Sequence, residues 1–181
     1  MHTLYLLRHA KSSWGEKGVE DHDRPLNARG RKTAPKIGVF MRQAGFIPAL
    51  ILCSSARRTR DTVEAMGGCF PPSIPIRYLR DLYLAKPEEI IGALRAEGGE
   101  ADSVMIVGHS PGMELTTLAL ARQEGSAAER ALRQRVEEKF PTSALAVLRF
   151  DLNEWADLRP DSGALEAFIR PKDLPECEDD D

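Results

Sequence analysis

The sequence predicts an α/β fold, a three-layer sandwich in which a mostly parallel central sheet has helices on both faces. Short apolar runs typical of buried strands alternate along the chain with amphipathic patterns typical of helices. The length of 181 residues fits a single domain, because chains divide into several domains only beyond about 250–300 residues. We expect that domain to span residues 1–172.

The first half of the chain contains three strand patterns and two helix patterns. The run TLYLL (3–7) is apolar and includes a β-branched and an aromatic residue, which indicates a buried strand. Residues 26–45 show helical spacing of small and apolar side chains, with a cap at Asn27 and a stop at Gly45. The remaining predictions in this half are a strand at 49–53 (ALILC), a short helix at 55–68 and a strand at 74–79.

The second half continues the alternation and adds two late strands. Pro87 stands in the first turn of the helix pattern 86–98, where a missing N–H costs nothing because that turn has no helical partner for it. The segment 124–140 is polar and loosely periodic, and it fits either a peripheral helix or a partly ordered insert. The other predictions are a strand at 103–108 (SVMIVG), a helix at 112–123, and strands at 143–152 and 163–171.

Composition and charge indicate an ordinary globular protein and favour neither a nucleic-acid nor a membrane partner. Apolar residues make up 42% of the chain and charged residues 29%, with a net charge of -3. The tail ECEDDD is almost entirely acidic, so we expect residues 173–181 to be a solvated, disordered end. No apolar run approaches about 18 residues, and the start does not resemble a signal peptide. Three cysteines without metal-like spacing fit a reducing, cytoplasmic setting.

Polar side chains follow three of the predicted strands at the point where each strand ends. Arg8 and His9 follow the first strand. The segment 54–58 follows the second strand, and His109 follows the strand at 103–108. Because the carboxyl ends of parallel strands meet at one edge of a sheet, where α/β proteins bind their ligands, we expect two histidines and several arginines to converge there.

Two other nucleophiles near these strand ends have weaker support. The string GHSPG (108–112) fits the G-x-S-x-G turn that presents serine in α/β-hydrolases. Those enzymes carry their histidine after the serine, whereas no histidine of this chain follows Ser110. Cys53 begins CSSARR, but a cysteine phosphatase loop needs C-x5-R, and Thr59 stands where that arginine belongs. A buried thiol at a strand end explains Cys53 better.

Helical spacing separates the arginines of residues 57–60. Arg58 lies four residues before Thr62 on the stripe expected to face the sheet end, whereas Arg57 and Arg60 fall on the solvent side. A guanidinium stays charged and donates paired hydrogen bonds, which suits a phosphoryl group.

A basic site of this kind suits a nucleophilic histidine. Like charge from Arg8 and Arg58 disfavours an imidazolium among them, and a neutral imidazole is what nucleophilic attack requires. Arg24 is a third candidate phosphate ligand, although a surface ion pair with Asp21 or Asp23 explains it equally well.

Four segments resemble, in chain order, the signatures of the histidine phosphatase superfamily, which includes the phosphoglycerate mutases. LYLLRHAKSSW (4–14) is similar to the R-H-G/A signature. CSSARRTRDT (53–62) matches S-x-x-x-R-x-x-x-T at Ser54, Arg58 and Thr62. VMIVGHSPGM (104–113) resembles the segment with the second histidine. DRPLNARG (23–30), like the short chain, resembles the small phosphohistidine phosphatases of the SixA type.

The resemblance implies a phosphoglycerate mutase-like fold, no metal or other cofactor, and a role for each matched residue. His9 would be the nucleophile that becomes transiently phosphorylated. Arg8, Arg58 and His109 would hold the phosphoryl oxygens. Arg24 would add a phosphate contact, as in the SixA-type branch.

The proton donor departs from the family pattern. Many phosphomonoesterases of the superfamily carry glutamate in an L-x-E context after the third strand, whereas this chain has Asp81 in LRDL, where it could also cap a helix or pair with Arg80. An alkoxide leaving group benefits from a positioned acid, but a phosphorylated imidazole can leave as neutral imidazole. The sequence thus favours a phosphatase acting on phosphohistidine in a protein. The alternatives are a small-molecule phosphomonoesterase with Asp81 as proton donor and a non-catalytic phosphate-binding module.

Overall fold

A six-stranded sheet forms the centre of the molecule, whose computed structural model describes residues 1–14 and 17–174. The strands are β1 (His2–Arg8), β2 (Leu50–Ser54), β3 (Ile76–Leu79), β4 (Ser103–Gly108), β5 (Leu145–Phe150) and β6 (Ala164–Ile169). The helices are α1 (Ala28–Gln43), α2 (Arg57–Met66), α3 (Pro87–Glu97), α4 (Gly112–Leu120) and α5 (Ala127–Glu138). The strand order across the sheet is β3-β2-β4-β1-β5-β6.

The predicted α/β fold with a mostly parallel sheet is confirmed. β3, β2, β4 and β1 pair in parallel, whereas β5 and β6 pair antiparallel. In the parallel half Arg8 is the register partner of Gly108, so β1 and β4 end at the same level. The residues that follow these two strands therefore emerge side by side at one edge of the sheet.

Helices cover both faces of the sheet, and alternate residues of each strand supply the two cores. On β1, Leu4 and Leu6 belong to one buried cluster and Tyr5 and Leu7 to the other. The first cluster includes apolar residues of α3, α4 and α5, and the second includes those of α1 and α2. Burial on both faces explains why the strands read as continuous apolar runs.

Local signals set the helix ends as predicted. The Asn27 side chain accepts a hydrogen bond from the Gly30 N–H at 2.9 Å and caps α1. Gly45 ends that helix region with φ of +74°, a conformation that favours glycine. The segment 124–140, for which two interpretations were open, contains helix α5, whose start has a reciprocal capping box between Ser126 and Glu129.

Close packing at Gly30 holds α1 against the loop that follows β1. A Cβ atom at this position would lie 2.1 Å from the backbone oxygen of Lys11, so no larger residue fits without movement of the backbone. The Asn27 N–H donates to the same oxygen at 3.0 Å. The start of α1 therefore supports the loop that begins with His9.

The last described residues include the start of the predicted acidic tail. Asp173 closes a 3-10 turn (Pro171–Asp173) and pairs with Arg135 at 2.6 Å and with Arg170 at 3.1 Å. The rest of the predicted acidic tail, from residue 175 onward, lies outside the described residues. Within the described part of the chain, no helix has the length and apolar character needed to cross a membrane.

Candidate active site

His9 lies just beyond the carboxyl end of β1 and is 6% exposed. Its Nδ1 is 2.7 Å from the carbonyl oxygen of Ala10. Because a carbonyl oxygen only accepts, this hydrogen bond assigns the ring proton to Nδ1 and leaves the lone pair on Nε2. The backbone N–H of His9 donates to Gly108 at 3.0 Å, which ties the residue to the end of β4. The fold thus orients the imidazole with Nε2 as its basic nitrogen.

The surroundings of His9 lower its pKa to about 3. Burial is the largest cause, and the hydrogen bond to Ala10 opposes it. The positive charges of Arg58, Arg8 and Arg24 lower the pKa further. The imidazole is therefore neutral at pH 7 and keeps the lone pair that a nucleophile needs.

His109 follows β4 and faces His9, with the two ring centroids 5.3 Å apart. Its Nε2 is 2.8 Å from the Ser54 hydroxyl at the end of β2. Burial lowers the pKa of His109 to about 3, with a further contribution from Arg58. Its buried Nδ1 has no hydrogen-bond partner among the described residues. Three strand ends thus meet at this pair of imidazoles.

Arg58, in the first turn of α2, is the most buried cation of the site at 2% exposure. Its Nη1 donates to the backbone oxygen of Asp21 at 2.7 Å, and its Nη2 donates to the carboxylate of the same residue at 3.2 Å. One helical turn later, the Thr62 hydroxyl donates to the Arg58 carbonyl and accepts the N–H of Ala10 at 3.0 Å. This contact fixes α2 against the loop after His9.

Arg8 contributes a second, partly buried guanidinium. Its Nη1 donates to the backbone oxygen of Phe140 at 2.8 Å, between α5 and β5. Burial lowers the pKa of Arg8, but an arginine side chain stays protonated in proteins. Arg8 therefore adds fixed positive charge beside His9.

Arg24 forms an ion pair and also lines the cavity of the candidate site. Its Nε donates to the Asp21 carboxylate at 3.1 Å, which is the predicted ion pair. Its guanidinium also stacks 3.7 Å above the ring of Trp14, an exposed indole. Arg24 nonetheless lines the same cavity as His9 and Arg58. It therefore lies in the wall of the site and not on a surface away from it.

Asp21 and Tyr83 belong to the site although sequence reasoning assigned them no role in it. The Asp21 carboxylate accepts hydrogen bonds from Arg58, Arg24 and the Tyr83 hydroxyl. The Tyr83 bond and the two cations hold the pKa of Asp21 below its ordinary value. The Tyr83 ring also contacts the His109 ring edge to face, with centroids 5.5 Å apart. Arg24 is three residues from Asp21, but Arg58 and Tyr83 are brought to it from other segments, so no motif signals the full set of contacts.

These side chains surround an open cavity of about 340 Å³. Three of the residues in its wall each keep a buried nitrogen that has no partner among the described residues, namely Nε of Arg8, Nε of Arg58 and Nδ1 of His109. A buried polar group left unpaired costs about 1–3 kcal/mol, and native proteins rarely tolerate several together. The guanidinium groups of Arg8 and Arg58 also bring fixed positive charge to the cavity wall, so the cavity fits an anion with several acceptor oxygens, as in a phosphoryl group.

Asp81 and Ser110 differ in their position relative to the cavity. Asp81 is exposed on the 3-10 turn Arg80–Leu82 and does not line the cavity. Ser110 does line it, but its hydroxyl donates to Glu114 at 3.4 Å, and the neighbouring His109 bonds to Ser54. Among the residues that the structure describes, no group of three or more His, Cys, Asp or Glu side chains is placed to hold a metal ion.

Known proteins resemble this chain in sequence and in fold. Residues 4–83 match the histidine phosphatase superfamily (branch 1). The Mycobacterium tuberculosis protein Rv1276c is 38% identical over 168 residues, which cover 92% of this chain and all of that protein. The crystal structure of SixA from Agrobacterium tumefaciens is 36% identical with a TM-score of 0.76, covering 94% of this chain and 98% of the other. SixA from Nakamurella multipartitia is 33% identical with a TM-score of 0.77, covering 94% and 96%.

Proposed function

We propose a catalytic function from one premise, that the chain belongs to the histidine phosphatase superfamily, in its SixA-type branch. Membership supports phosphatase chemistry. We assign the nucleophile to His9, the phosphoryl ligands to Arg8, Arg58 and His109, and a further phosphate contact to Arg24. The observation that carries the proposal is the set of three buried, unpaired nitrogens around one cavity.

The reaction begins with attack of His9 Nε2 on phosphorus. A bond forms between Nε2 and phosphorus while the bond from phosphorus to the leaving group breaks, in line with the attack. The Nδ1 proton stays on the hydrogen bond to Ala10, so the ring needs no base to activate it. The arginines and His109 stabilise the charge on the phosphoryl oxygens.

Water completes the reaction. It attacks the phosphorus of phosphorylated His9, the bond between nitrogen and phosphorus breaks, and inorganic phosphate leaves. Of the two protons of that water, one remains on the phosphate and the other passes to solvent or to the phosphate dianion. His9 returns to its neutral form, ready for a second cycle.

Phosphohistidine in a protein is the substrate that we propose. Its imidazole can carry a proton on the nitrogen away from phosphorus and leave as a neutral molecule, so a strong acid is not required. This leaving group suits a cavity whose wall does not include Asp81. The SixA proteins from both organisms are assigned, by name, as phosphohistidine phosphatases, which supports the same substrate class.

The two described cysteines, Cys53 and Cys69, are buried and free, which fits a cytoplasmic location.

Trapping of the phosphoenzyme tests the proposal. Wild-type protein mixed with a radiolabelled phosphohistidine peptide and quenched in alkali should carry phosphate that is stable to base and labile to acid. His9→Ala should carry none, whereas Ser110→Ala, a neighbour in the same cavity, should be labelled as the wild type is. Absence of label on the wild type during turnover would contradict the mechanism. Tight phosphate binding without turnover would instead support the non-catalytic module.

A further inference from the structure

A second cavity, of about 520 Å³, opens beside the candidate active site. Arg8, Lys11 and Thr142 stand in the walls of both cavities. The two spaces are therefore neighbours, and a ligand seated at His9 can extend from one into the other.

The second cavity is strongly basic. Its wall contains one acidic residue, Glu138, and six cationic residues, Arg8, Lys11, Arg29, Lys139, Arg170 and Lys172. Arg170 pairs with Asp173 at 3.1 Å. Lys11, Arg29, Lys139 and Lys172 form no ion pair with any described residue. In a chain whose net charge is -3, this is a local concentration of positive charge that overall composition does not explain.

A buried serine in the wall of the second cavity bonds to the backbone of Arg8 and His9. The Ser143 N–H donates to the carbonyl oxygens of Arg8 and His9, each at 3.1 Å, from a backbone with φ of +62°. This left-handed conformation is uncommon for serine, and such residues cluster at functional sites. Ser143 lines the second cavity, is 2% exposed, and its hydroxyl has no partner within the described ranges. The loop before β5 is thus pinned to the strand end that carries His9.

The exposure of the cations indicates which kind of anion this cavity suits. In the candidate active site, Arg58 and His109 are buried and converge on a small volume. In the second cavity Lys11, Lys139 and Lys172 are exposed. Solvated lysines do not enclose a small anion in fixed geometry, but they attract the acidic side chains of a protein surface and speed its association.

We propose that the second cavity docks acidic side chains next to the phosphohistidine of a protein substrate. This inference rests on the proposed function, since it places the phosphohistidine itself at His9. It names the substrate more closely, as a phosphoprotein whose phosphorylated histidine has carboxylates nearby.

A pair of peptides tests the proposal. Both carry one phosphohistidine, flanked by glutamates in the first peptide and by glutamines in the second. Wild-type protein should hydrolyse the acidic peptide with a kcat/KM on the order of tenfold higher than the glutamine peptide. The difference should shrink as salt rises from about 50 to about 300 mM. The double variant Lys139→Glu/Lys172→Glu should lose this preference. It should keep wild-type activity on free phosphoramidate, which is too small to reach the second cavity.

The matched control is Lys36→Glu/Arg159→Glu, which makes the same change in charge at exposed residues outside both cavities. It should preserve the preference for the acidic peptide. Equal rates for the two peptides with the wild-type protein would overturn the docking proposal, as would equal losses in both double variants. The docking proposal would also be overturned if Lys139→Glu/Lys172→Glu lost activity on a small bisphosphorylated ester but kept it on the acidic peptide. That result would assign the cavity to a second phosphate group.

A measurement of peptide binding distinguishes a wrong docking proposal from a wrong proposed function. If wild-type protein hydrolyses neither peptide nor phosphoramidate, the proposed function is wrong. Fluorescence anisotropy with the unphosphorylated peptides still measures docking in that case. Tighter binding of the acidic peptide, lost in Lys139→Glu/Lys172→Glu, would support the docking surface, and equal binding of both peptides would count against it.

Discussion

Replacement of Arg58 by lysine separates charge from geometry in the candidate active site. Lysine keeps the positive charge but has no planar fork. In the native side chain Nη1 and Nη2 each donate one hydrogen bond to Asp21, and each keeps a second N–H in the same planar fork for a further acceptor. A single ammonium at this depth cannot reproduce both contacts with Asp21 and also present a donor to substrate in that geometry. We therefore expect Arg58→Lys to lose one charged hydrogen bond to the phosphoryl group.

The size of the effect follows from that bond. A hydrogen bond to a charged group contributes about 1.5–3 kcal/mol. Each 1.36 kcal/mol in the activation free energy changes the rate about tenfold, so kcat/KM should fall by roughly 10–150-fold. Steady-state kinetics with a phosphohistidine peptide, together with circular dichroism to confirm folding, measures this loss.

The neighbouring arginine is a matched control. Arg57 is exposed and pairs with Asp61 at 3.8 Å, one helical turn away. Arg57→Lys should leave kcat/KM within about twofold of wild type, because exposed ion pairs contribute little. If Arg58→Lys kept wild-type activity, or if both variants lost the same amount, the guanidinium of Arg58 would not act as a phosphate ligand.

Two further predictions concern pH and the proton donor. Stability should fall as pH drops from about 6.5 toward 3, because the pKa values of His9 and His109 are about 3 in the folded protein and the unfolded chain binds more protons in that window. Each imidazole contributes about 1.4 kcal/mol per pH unit to the slope of the free energy of unfolding against pH. Urea unfolding of His9→Asn/His109→Asn should therefore show a flatter slope. An unchanged slope would contradict the lowered pKa values. Asp81→Asn should change kcat/KM less than about twofold on phosphohistidine and on phosphate esters alike. A large loss confined to esters would favour the phosphomonoesterase alternative.

Helix and strand positions could be read from the sequence because their causes are local. The cap at Asn27 and the stop at Gly45 act within a few residues of the helix that they bound. Strand β1 reads as an apolar run because both of its faces are buried. Only the segment 124–140 stayed ambiguous, since α5 buries a single side chain, Val136, and so shows a weak pattern.

The proximity of His9, Arg58 and His109 could also be expected, although they are far apart in the chain. Each follows a strand of the parallel half of the sheet, and parallel strands present their carboxyl ends at one edge. Because the sheet is regular, a residue that directly follows one of these strands can be placed at the carboxyl edge of the sheet from the sequence alone.

The contacts beyond the strand ends depend on packing between loops. Asp21 and Tyr83 are 62 residues apart, and neither directly follows a strand. The exposed position of Asp81 depends on how a 3-10 turn leaves β3. The basic cavity joins residues from four separate stretches of chain, within 8–11, 29–33, 138–143 and 170–172.

Hydrophobic periodicity and short capping signals were enough to specify this sheet, its helices and the edge where its polar strand ends gather, because those forces act between near neighbours or through a regular lattice of strands. The contacts of Asp21 with Arg58 and Tyr83, the depth at which His9 is buried and the shape of the second cavity arose only on folding. They depend on burial and on charges from distant segments, and no local pattern in the chain records either.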